Sequence, residues 1–419
     1  MSTVTFAALG LPERLVRALT ECGYSSPTPI QQKAIPALLD GKDLLGIAQT
    51  GTGKTAAFAL PTLDFLAEEP IELRPREVRA LVLVTTRELA SQVYESFQTY
   101  GKHLKLRYAV VFGGVSIIPQ KKTLSRGVDV LVATPGRLLD LMGQRCVELR
   151  DVEVFVLDEA DRMLDMGFIR DVRKIIDCLP KDRQSMLFSA TMPDEVVALT
   201  KSILVDPVRV EAAPPAKTAD LVEQFVYFVT KADKRDLLTK LLEDGKMFRT
   251  LVFTRTKHGA DRVAKHLKRA GVEAAAIHGD KAQGARERAL GAFKAGKVPV
   301  LVATDIAARG IDVDDVTHVV NFDLPNVSES YVHRIGRTAR AGRAGIALSF
   351  CDTEEREYLR DIEKLIGRRI DVVTEHAFAG KVAPLAAPAA PKKPTPAKQS
   401  GRPKSFRRGR RRASAPRDR

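Results

Sequence analysis

Short runs of apolar residues alternate with helical patterns along most of the chain. In the first half, these runs include Leu81–Val84, Val128–Val132, Val152–Leu157 and Met186–Phe188. In the second half, they include Phe225–Val229, Thr250–Phe253, Ala274–Ile277, Val300–Val302, His318–Asn321 and Ile346–Phe350. Between two of the later runs, apolar residues recur at helical spacing at Ala260, Val263, Ala264 and Leu267. Because continuous apolar strands between amphipathic helices indicate parallel sheets covered on both faces, the pattern predicts an α/β fold with two lobes.

Two changes in composition divide the chain. The segment 211–219, EAAPPAKTA, has two prolines among small residues, which interrupts a helix and suits a linker. The C-terminal segment is rich in Pro, Ala, Lys and Arg, so it cannot bury enough apolar surface to offset the entropy lost on ordering. We predict an N-terminal lobe over 1–210, a linker over 211–219, a C-terminal lobe over 220–375 and a disordered basic tail over 376–419.

The charge of the chain is concentrated in this tail. Of the net charge of +15, the segment from Lys381 onward carries +12, with thirteen Lys or Arg and one acidic residue. The rest of the chain is nearly neutral. A flexible polycation is suited to holding RNA through its phosphates without reading sequence. The alternative is that the tail only keeps the protein soluble.

Length and composition exclude several classes of protein. A chain of 419 residues suits two or three domains of about 100–200 residues each. It contains no run of about 18 apolar residues, and Met1–Gly10 lacks the pattern of a secretory signal. Cys22, Cys146, Cys178 and Cys351 have no paired spacing, which argues against a zinc site or a disulfide framework. We therefore expect a cytoplasmic protein that does not enter a membrane.

A phosphate-binding loop follows the apolar run Leu44–Ile47. Its sequence is Ala48-Gln49-Thr50-Gly51-Thr52-Gly53-Lys54-Thr55. In such loops, backbone N–H groups surround the phosphates, the lysine reaches the β- and γ-phosphates, and the hydroxyl residue binds Mg²⁺. Lys54 and Thr55 occupy these two positions, whereas Ala48 stands where the pattern usually has glycine. The loop predicts a nucleotide site with Thr55 as a magnesium ligand.

An acidic segment, Asp158-Glu159-Ala160-Asp161, directly follows a predicted strand. Alone, such a segment is usually an exposed strand end or a helix cap. It lies about a hundred residues after the phosphate loop, however, and the carboxyl ends of parallel strands are where ligands bind. We predict that Asp158 binds Mg²⁺ and that Glu159 activates the attacking water.

A basic segment, Tyr331–Arg340, lies in the second half of the chain. Its His333 and three arginines fit a solvated helix face as well as a site. With a phosphate loop in the other lobe, Arg337 and Arg340 can instead serve as arginine fingers, which contribute roughly 10³–10⁵ in rate. We include His333, Arg337 and Arg340 in the predicted catalytic set, together with Lys54.

These motifs together resemble those of DEAD-box ATP-dependent RNA helicases, most closely the bacterial RhlE-like group, over about residues 3–370. The resemblance implies two tandem RecA-like lobes, with ATP and Mg²⁺ as cofactors and RNA as the partner. The segment Gly23–Gln31 and the upstream Phe6 are similar to the adenine-reading motif of the family. By that likeness, Gln31 hydrogen-bonds adenine and Tyr24 packs on it. An amide can pair with the N6 and N7 edge of adenine, so ATP is favoured over GTP.

The resemblance also implies an RNA-binding set. In the first lobe this comprises Arg87, Gly114, Thr134, Pro135, Gly136 and Arg137, and in the second lobe Arg255, Thr304 and Arg309. Backbone amides, small hydroxyls and Arg at loop ends are suitable phosphate ligands. By the same likeness, Asp161, Ser189 and Thr191 couple the ATP state to RNA binding, and Asp312 contacts the nucleotide.

The sequence differs from the family pattern at two positions. Thr85 stands where the family usually has proline, and Ala339 where it often has glycine. Neither position supplies a catalytic group, so we expect these differences to affect only the local loop geometry.

Two other classes of function remain open. One is an ATP-dependent clamp on RNA, although a clamp needs neither Glu159 nor two arginine fingers. The other is a DNA-directed motor, although relatives in the family favour RNA through contacts with its 2′-OH. Ribosomal precursors and the RNA-decay machinery are partners of relatives, and no motif in this sequence distinguishes between them.

Overall fold

The computed structural model describes residues 4–49, 51–211, 222–243, 245, 247–308, 313, 316–339 and 345–380. Most of the predicted linker and the tail from Lys381 lie outside these residues. So do four predicted site residues, which are Thr50, Arg309, Asp312 and Arg340.

The first sheet is parallel and, within the described residues, has seven strands in the order β3-β4-β2-β5-β6-β1-β7. The strands are β1 (Leu44–Ile47), β2 (Val78–Leu83), β3 (Tyr108–Val111), β4 (Val128–Ala133), β5 (Val154–Leu157), β6 (Gln184–Ser189) and β7 (Val208–Glu211). The helices are α1 (Glu13–Glu21), α2 (Pro29–Leu39), α3 (Lys54–Glu68), α4 (Arg87–Tyr100), α5 (Ile117–Leu124), α6 (Pro135–Gly143), α7 (Ala160–Asp165), α8 (Ile169–Ile176) and α9 (Asp194–Ile203). A short 3₁₀-helix, Ala7–Leu9, precedes them.

The second sheet is also parallel, and its seven described strands have the order β10-β11-β9-β12-β13-β8-β14. The strands are β8 (Val222–Phe228), β9 (Thr250–Phe253), β10 (Ala274–Ile277), β11 (Val300–Ala303), β12 (His318–Asn321), β13 (Gly345–Cys351) and β14 (Asp371–Val372). The helices are α10 (Lys234–Glu243), α11 (Lys257–Arg269), α12 (Gln283–Lys294), α13 (Asp305–Ala308), α14 (Ser328–Ile335) and α15 (Arg356–Ile366).

The two sheets repeat one topology. If the strands of the second sheet are counted from β8, both orders read third, fourth, second, fifth, sixth, first, seventh. The phosphate loop follows the first strand of the first sheet, and the acidic segment follows its fifth strand. Both sheets lie within one compact unit of the chain. The fold is therefore that of two tandem RecA-like lobes, as the sequence predicts.

The cores cover both faces of each sheet. Along β2, Leu81 and Leu83 pack in one apolar cluster, whereas Ala80 and Val82 pack in another. Helix α11 buries Ala260, Val263, Ala264 and Leu267, the four residues whose spacing predicts it. In the described part of the chain, no helix is long and apolar enough to cross a membrane.

Each predicted apolar run coincides with a strand, with shifts of a few residues at the ends. Three strands were not predicted, which are β3, β7 and β14. The predicted start of the disordered tail at residue 376 is too early, because the ring of His376 packs edge-to-face against that of Tyr227 with centroids 5.5 Å apart and Phe378 packs against the core of the second lobe. Ala339 has a φ of 54°, in the left-handed region where glycine is less strained, which agrees with an effect on loop geometry.

Candidate functional site

The phosphate loop leads directly into helix α3. Gly53 precedes the helix with a φ of 93°, and a Cβ at this position would lie 2.5 Å from Nε2 of Gln31. Glycine is therefore required both by the backbone conformation and by the close approach of a side chain. Because the first N–H groups of a helix have no partner within it, the start of α3 is suited to binding phosphate.

The side chain of Lys54 lies inside this loop. Its Nζ donates to the carbonyl of Ala48 at 3.0 Å and lies 3.6 Å from Oδ1 of Asp158. The residue is buried, so its charge is shielded from water. The amine can exchange its contact with the Ala48 carbonyl for a phosphate oxygen with a small movement.

Gln31 connects the start of helix α2 to the phosphate loop. Thr28 and Gln31 form a capping box, in which Oε1 of Gln31 accepts from the N–H of Thr28 at 2.9 Å. Nε2 of the same amide donates to the carbonyl of Gly53 at 3.0 Å. Gln31 is buried within the first turn of the helix. An amide has two donors and two lone pairs, so one of each remains for a purine edge.

The two aromatic residues of the predicted adenine site differ in exposure. Phe6 is 4% exposed and belongs to the core of the first lobe. Tyr24 is 44% exposed, and its hydroxyl lies 3.3 Å from that of Tyr100. Tyr24 is therefore accessible to a ligand, whereas Phe6 is packed in the core.

The acidic pair at the end of β5 is buried. Glu159 has a φ of 57°, which is uncommon outside glycine, and its Oε1 lies 3.2 Å from Nη1 of Arg162. Burial alone would raise the pKa of the Glu159 carboxyl, but neighbouring positive charges, of which Arg162 is the strongest, hold it below its ordinary value. For Asp158, burial dominates and raises the pKa. The expectation that Thr85 affects only loop geometry is incomplete, because its hydroxyl donates to Oε2 of Glu159 at 2.9 Å.

The donors at this point fit a magnesium ion that arrives with ATP. Asp158 offers a carboxylate and Thr55 a hydroxyl, both of which are hard oxygen ligands. Among the residues that the structure describes, no group of three or more His, Cys, Asp or Glu could hold a metal alone. Mg²⁺ in nucleotide sites is usually bound through one or two protein ligands plus substrate phosphates, which agrees with this donor set.

The second lobe brings a histidine and an arginine to the acidic pair. The positive charge of Arg337 contributes to the low pKa of Glu159, and Arg337 is buried. Burial is the main reason that the pKa of His333 falls to about 4, and the nearby charge of Arg162 lowers it further. His333 is therefore neutral at pH 7. Arg334 is held within its own lobe by a bidentate contact with Asp305, at 2.6 and 2.7 Å.

Three residues at the end of β6 and the start of α7 form one hydrogen-bonded group. Oδ2 of Asp161 accepts from both the N–H and the hydroxyl of Thr191 at 2.9 Å. Oγ of Ser189 accepts from the N–H of Asp161 at 3.1 Å and donates to the carbonyl of Thr191 at 2.7 Å. The predicted coupling residues are therefore in direct contact.

A cavity of about 480 Å³ lies between the lobes. It is lined by most of the predicted RNA residues of the first lobe and by two residues of the second, namely Thr85, Thr86, Arg87, Glu88, Gly113, Thr134, Gly136, Arg137, Asp140, Met166, Phe168, Gly279 and Arg286. Nη1 of Arg137 is buried and has no hydrogen-bond partner in the described part of the chain. An unpartnered guanidinium donor in a cleft is suited to a phosphate oxygen.

Glu88 connects the lobes beside this cavity. Its Oε2 lies 2.8 Å from Nη2 of Arg286, and its Oε1 accepts from Gln283 at 3.4 Å. Both members of the ion pair are buried. Sequence reasoning did not find this pair, because nothing in the sequence shows that α4 and α12 meet.

Two predicted RNA residues of the second lobe are not among those that line the cavity. They are Arg255 and Thr304. Nη2 of Arg255 donates to Oε1 of Glu355 at 2.8 Å, and the guanidinium lies 5.3 Å from the ring centroid of Tyr358. Arg255 thus has an ionic partner within its own lobe.

A phosphate loop on one lobe, with a histidine and an arginine from a second lobe of the same topology, defines a two-lobed nucleotide-dependent enzyme of the helicase type. Comparison with known proteins agrees with this class. The profile of the DEAD/DEAH box helicase family matches residues 28–199, and that of the helicase conserved C-terminal domain matches residues 233–342. The ATP-dependent RNA helicase CshA of Limosilactobacillus reuteri is 44% identical over 382 residues, which cover 90% of this chain and 76% of that protein. The chain belongs to the DEAD/DEAH box helicase family.

Solved structures are also similar over both lobes. S. cerevisiae Dbp5 bound to RNA and ADP BeF3 is 34% identical with a TM-score of 0.78, over 88% of this chain and 95% of that one. Mss116p bound to ssRNA and AMP-PNP is 26% identical with a TM-score of 0.78, over 88% of this chain and 79% of that one. Both of these structures contain RNA and a nucleotide analogue.

The contacts of Gln31 lead to a prediction about nucleotide choice. Gln31→Ala should reduce the use of ATP and narrow the preference for ATP over GTP by about tenfold or more, since a good bidentate amide–adenine pair contributes about 1–3 kcal/mol of discrimination. The measurement is kcat/KM for each nucleotide with saturating RNA. Gln32→Ala is the control, because Gln32 is an exposed neighbour whose side-chain amide donates to the carbonyl of Pro27 at 2.9 Å. A wild-type protein that hydrolyses GTP as well as ATP would rule out adenine reading by Gln31.

Proposed function

We propose that this protein is an ATP-dependent RNA helicase that separates short RNA duplexes or remodels RNA–protein complexes. The observation that carries this proposal is that one approach of the two lobes forms two sites. The charge of Arg337 of the second lobe lowers the pKa of Glu159 of the first, and the same approach of the lobes forms the cavity that is lined by Arg87 and Arg137. The named RNA helicase relatives support the assignment.

Each residue of the nucleotide site has a proposed task. Lys54 binds the β- and γ-phosphates, and Asp158 and Thr55 hold Mg²⁺, which neutralises phosphate charge when it is bound. Glu159 accepts a proton from the attacking water. Arg337, together with Arg340, stabilises the negative charge that develops on the transferred phosphoryl group.

The RNA is held by contacts to its backbone in the cavity between the lobes. Arg87 and Arg137 bind phosphates, and the group formed by Asp161, Ser189 and Thr191 transmits the state of the nucleotide site to the RNA loops. ATP and RNA both favour the closed arrangement of the lobes, so each must raise the affinity for the other. Hydrolysis then allows the lobes to separate and releases the strand.

The rate of ATP hydrolysis with different nucleic acids tests this function. We expect RNA to stimulate multiple turnovers and DNA of the same sequence to stimulate much less. Equal stimulation by DNA would favour a DNA-directed motor. Stable RNA binding with ATP but without repeated turnover would favour a clamp.

The subgroup, the cellular partners and the location of the protein are narrower assignments, and each is a proposal. The sequence relative reported above, from Limosilactobacillus reuteri, is named CshA, so membership of the RhlE-like group stays a prediction. Ribosomal precursors or the RNA-decay machinery remain proposed partners, and the cytoplasm the proposed location. Crosslinking of the protein to RNA in cells would identify the target.

The basic tail leads to a prediction about salt dependence. Binding to single strands weakens with salt by a log–log slope of about −0.7 per phosphate contact. If the tail engages about four phosphates, a chain that ends at Gly380 should show a slope flatter by roughly 3 units. Turnover at saturating RNA should survive, because the predicted catalytic residues precede residue 341. RNA affinity measured against salt concentration checks this.

A full-length control distinguishes the effect of the tail's charge on RNA binding from the effect of its length. In this control, the thirteen Lys and Arg from Lys381 onward are replaced by Gln. It should behave like the truncated chain if the tail acts through charge. Salt curves identical to those of the wild type would show that the tail does not bind RNA.

A further inference from the structure

The position of Thr85 follows from the register of two neighbouring strands. Strands β2 and β5 are paired in parallel, with Leu83 opposite Leu157. Thr85 and Glu159 each lie two residues beyond these partners, so the two side chains emerge next to each other at the carboxyl edge of the sheet. The N–H of Asp158 donates to the carbonyl of Leu83 at 3.0 Å, which holds the two chain segments together at this point.

The two oxygens of the Glu159 carboxylate have different surroundings. Oε2 accepts the hydroxyl of Thr85 at 2.9 Å. Oε1 faces Nη1 of Arg162 at 3.2 Å, but among the described residues neither of these two buried atoms has a hydrogen-bond partner. Because a buried carboxylate oxygen without a hydrogen bond is unfavourable, Oε1 is the atom that still requires a donor.

We propose that Thr85 is a positioning residue that anchors Oε2 of Glu159, so that Oε1 is the atom that receives the proton of the attacking water. This inference rests on the proposed role of Glu159. The hydroxyl fixes the orientation of the carboxylate about its terminal bond. Without such a contact, the torsion angle of this bond is broadly distributed. Productive geometry then exists before ATP arrives, and orientation of this kind contributes to the rate and not to the affinity.

The proposed chemical step involves the water, the Glu159 carboxylate and ATP. One proton of the water moves to Oε1 while the water oxygen forms a bond to the γ-phosphorus. The bond between that phosphorus and the β,γ-bridging oxygen breaks, and ADP keeps the electron pair. The proton on Oε1 later passes to solvent. Thr85 keeps its own proton, because the proton that leaves the water passes to Oε1 and the hydroxyl only donates to Oε2.

Thr85 is one of the two positions at which this chain departs from the usual family pattern. Similar helicases usually have proline there, and proline has no donor to offer to a carboxylate. Thr85 is 2% exposed, so its hydroxyl has little access to solvent and Glu159 is the partner that the structure shows for it. The contact therefore adds a constraint on Glu159 that the general motif does not contain.

The test is a pair of substitutions in the full-length chain. Thr85→Val keeps the branched shape and removes the hydroxyl, whereas Thr85→Ser keeps the hydroxyl. We expect Thr85→Val to lower the kcat of RNA-stimulated hydrolysis about tenfold, the loss that corresponds to one hydrogen bond to a charged group. The KM for ATP and the affinity for RNA should stay within about twofold, and Thr85→Ser should restore most of kcat. Thr123→Val, at an exposed threonine of α5, is the control for the change of residue type.

Several outcomes would overturn the proposal. A wild-type kcat in Thr85→Val, or a loss of kcat in Thr85→Ser as large as that in Thr85→Val, excludes positioning by the hydroxyl. A parallel loss of ATP affinity indicates a structural effect on the loop and also excludes it. If Thr85→Val does not fold, as judged by thermal melting, the same comparison is made between Thr85→Ala and Thr85→Ser.

A third variant separates this inference from the proposed function. Glu159→Gln should be inactive if Glu159 is the base. If Glu159→Gln still turns over, the proposed role of Glu159 fails, and the role of Thr85 fails with it. If Glu159→Gln is inactive but Thr85→Val is fully active, only the positioning role fails.

Discussion

Glu159→Gln is expected to stop repeated ATP turnover while ATP binding is retained. Glutamine has nearly the same shape as glutamate but cannot accept the proton of the attacking water. Loss of a general base typically lowers the rate by about 10²–10⁴. The measurements are kcat with saturating RNA and the Kd of a nucleotide analogue. Glu357→Gln, on the exposed face of α15, is the matched control.

Lys54→Ala should affect ATP binding, which Glu159→Gln should leave intact. The two variants together test whether Lys54 and Glu159 have separate roles. The Lys54 amine is buried beside Asp158 at 3.6 Å, and it is proposed to contact the phosphates before any reaction occurs. Its removal should therefore weaken ATP binding itself. Equal losses of binding in Lys54→Ala and Glu159→Gln would contradict the assignment of one residue to binding and the other to the water.

The second large effect is expected for Arg337→Ala, which should lower RNA-stimulated hydrolysis by about 10³-fold or more. The positive charge of Arg337 lowers the pKa of Glu159 across the lobes, which supports the proposed position of this arginine near the transferred phosphoryl group. Arg337→Lys should recover only a small part of the wild-type rate, because an ammonium lacks the planar fork of donors that a guanidinium has. The readout is kcat at saturating ATP and RNA, with Arg360→Ala at an exposed site of the same lobe as the control.

The first lobe alone provides an independent check of composite catalysis. Residues 1–210 contain the phosphate loop and both acidic residues, but not Arg337 or Arg340. This fragment should hydrolyse ATP at a very low rate even at high RNA concentration. Robust hydrolysis by a folded first lobe would show that the second lobe is not needed for the chemistry.

The sequence predicts the fold well because its two lobes have buried parallel strands, whose apolar runs are continuous. The strands that were not predicted are exceptions to that pattern. β3 and β7 are edge strands, and β14 has only two residues, both exposed. An edge strand packs against fewer neighbours, so its sequence alternates or is polar and gives a weaker signal.

Residues of the site were predictable where one motif carries them, and not where two segments meet. The phosphate loop and the acidic pair each occupy consecutive positions. The contact of Thr85 with Glu159 depends on β2 and β5 being neighbours, which is a property of strand order. The position of Gln31 in the first turn of α2 has a local signal, since Thr28-Pro29-Ile30-Gln31 is a capping-box sequence with proline at the first helical position.

Arg255 shows a further limit of predicting the role of a residue from a family motif. Its position fits an RNA-binding loop, yet the side chain is held by Glu355, which lies a hundred residues later in the sequence. Such a partner is invisible in a short motif. A residue can match a family pattern while its immediate charge environment is set by a distant part of the chain.

The contact between Glu88 and Arg286 has a consequence for how easily the protein can repeat its cycle. Two buried charges give up their hydration when the lobes meet and regain it when the lobes part, so the net gain from the pair is small. An apolar contact of the same size would instead resist separation. In the proposed cycle, closure then draws its driving force from bound ATP and RNA, and a shift from 1% to 99% closed requires about 5.5 kcal/mol of difference in their affinity for the two states. The contact between Glu88 and Arg286 therefore offers little resistance to separation of the lobes once ATP and RNA are no longer bound. The protein can then bind another RNA.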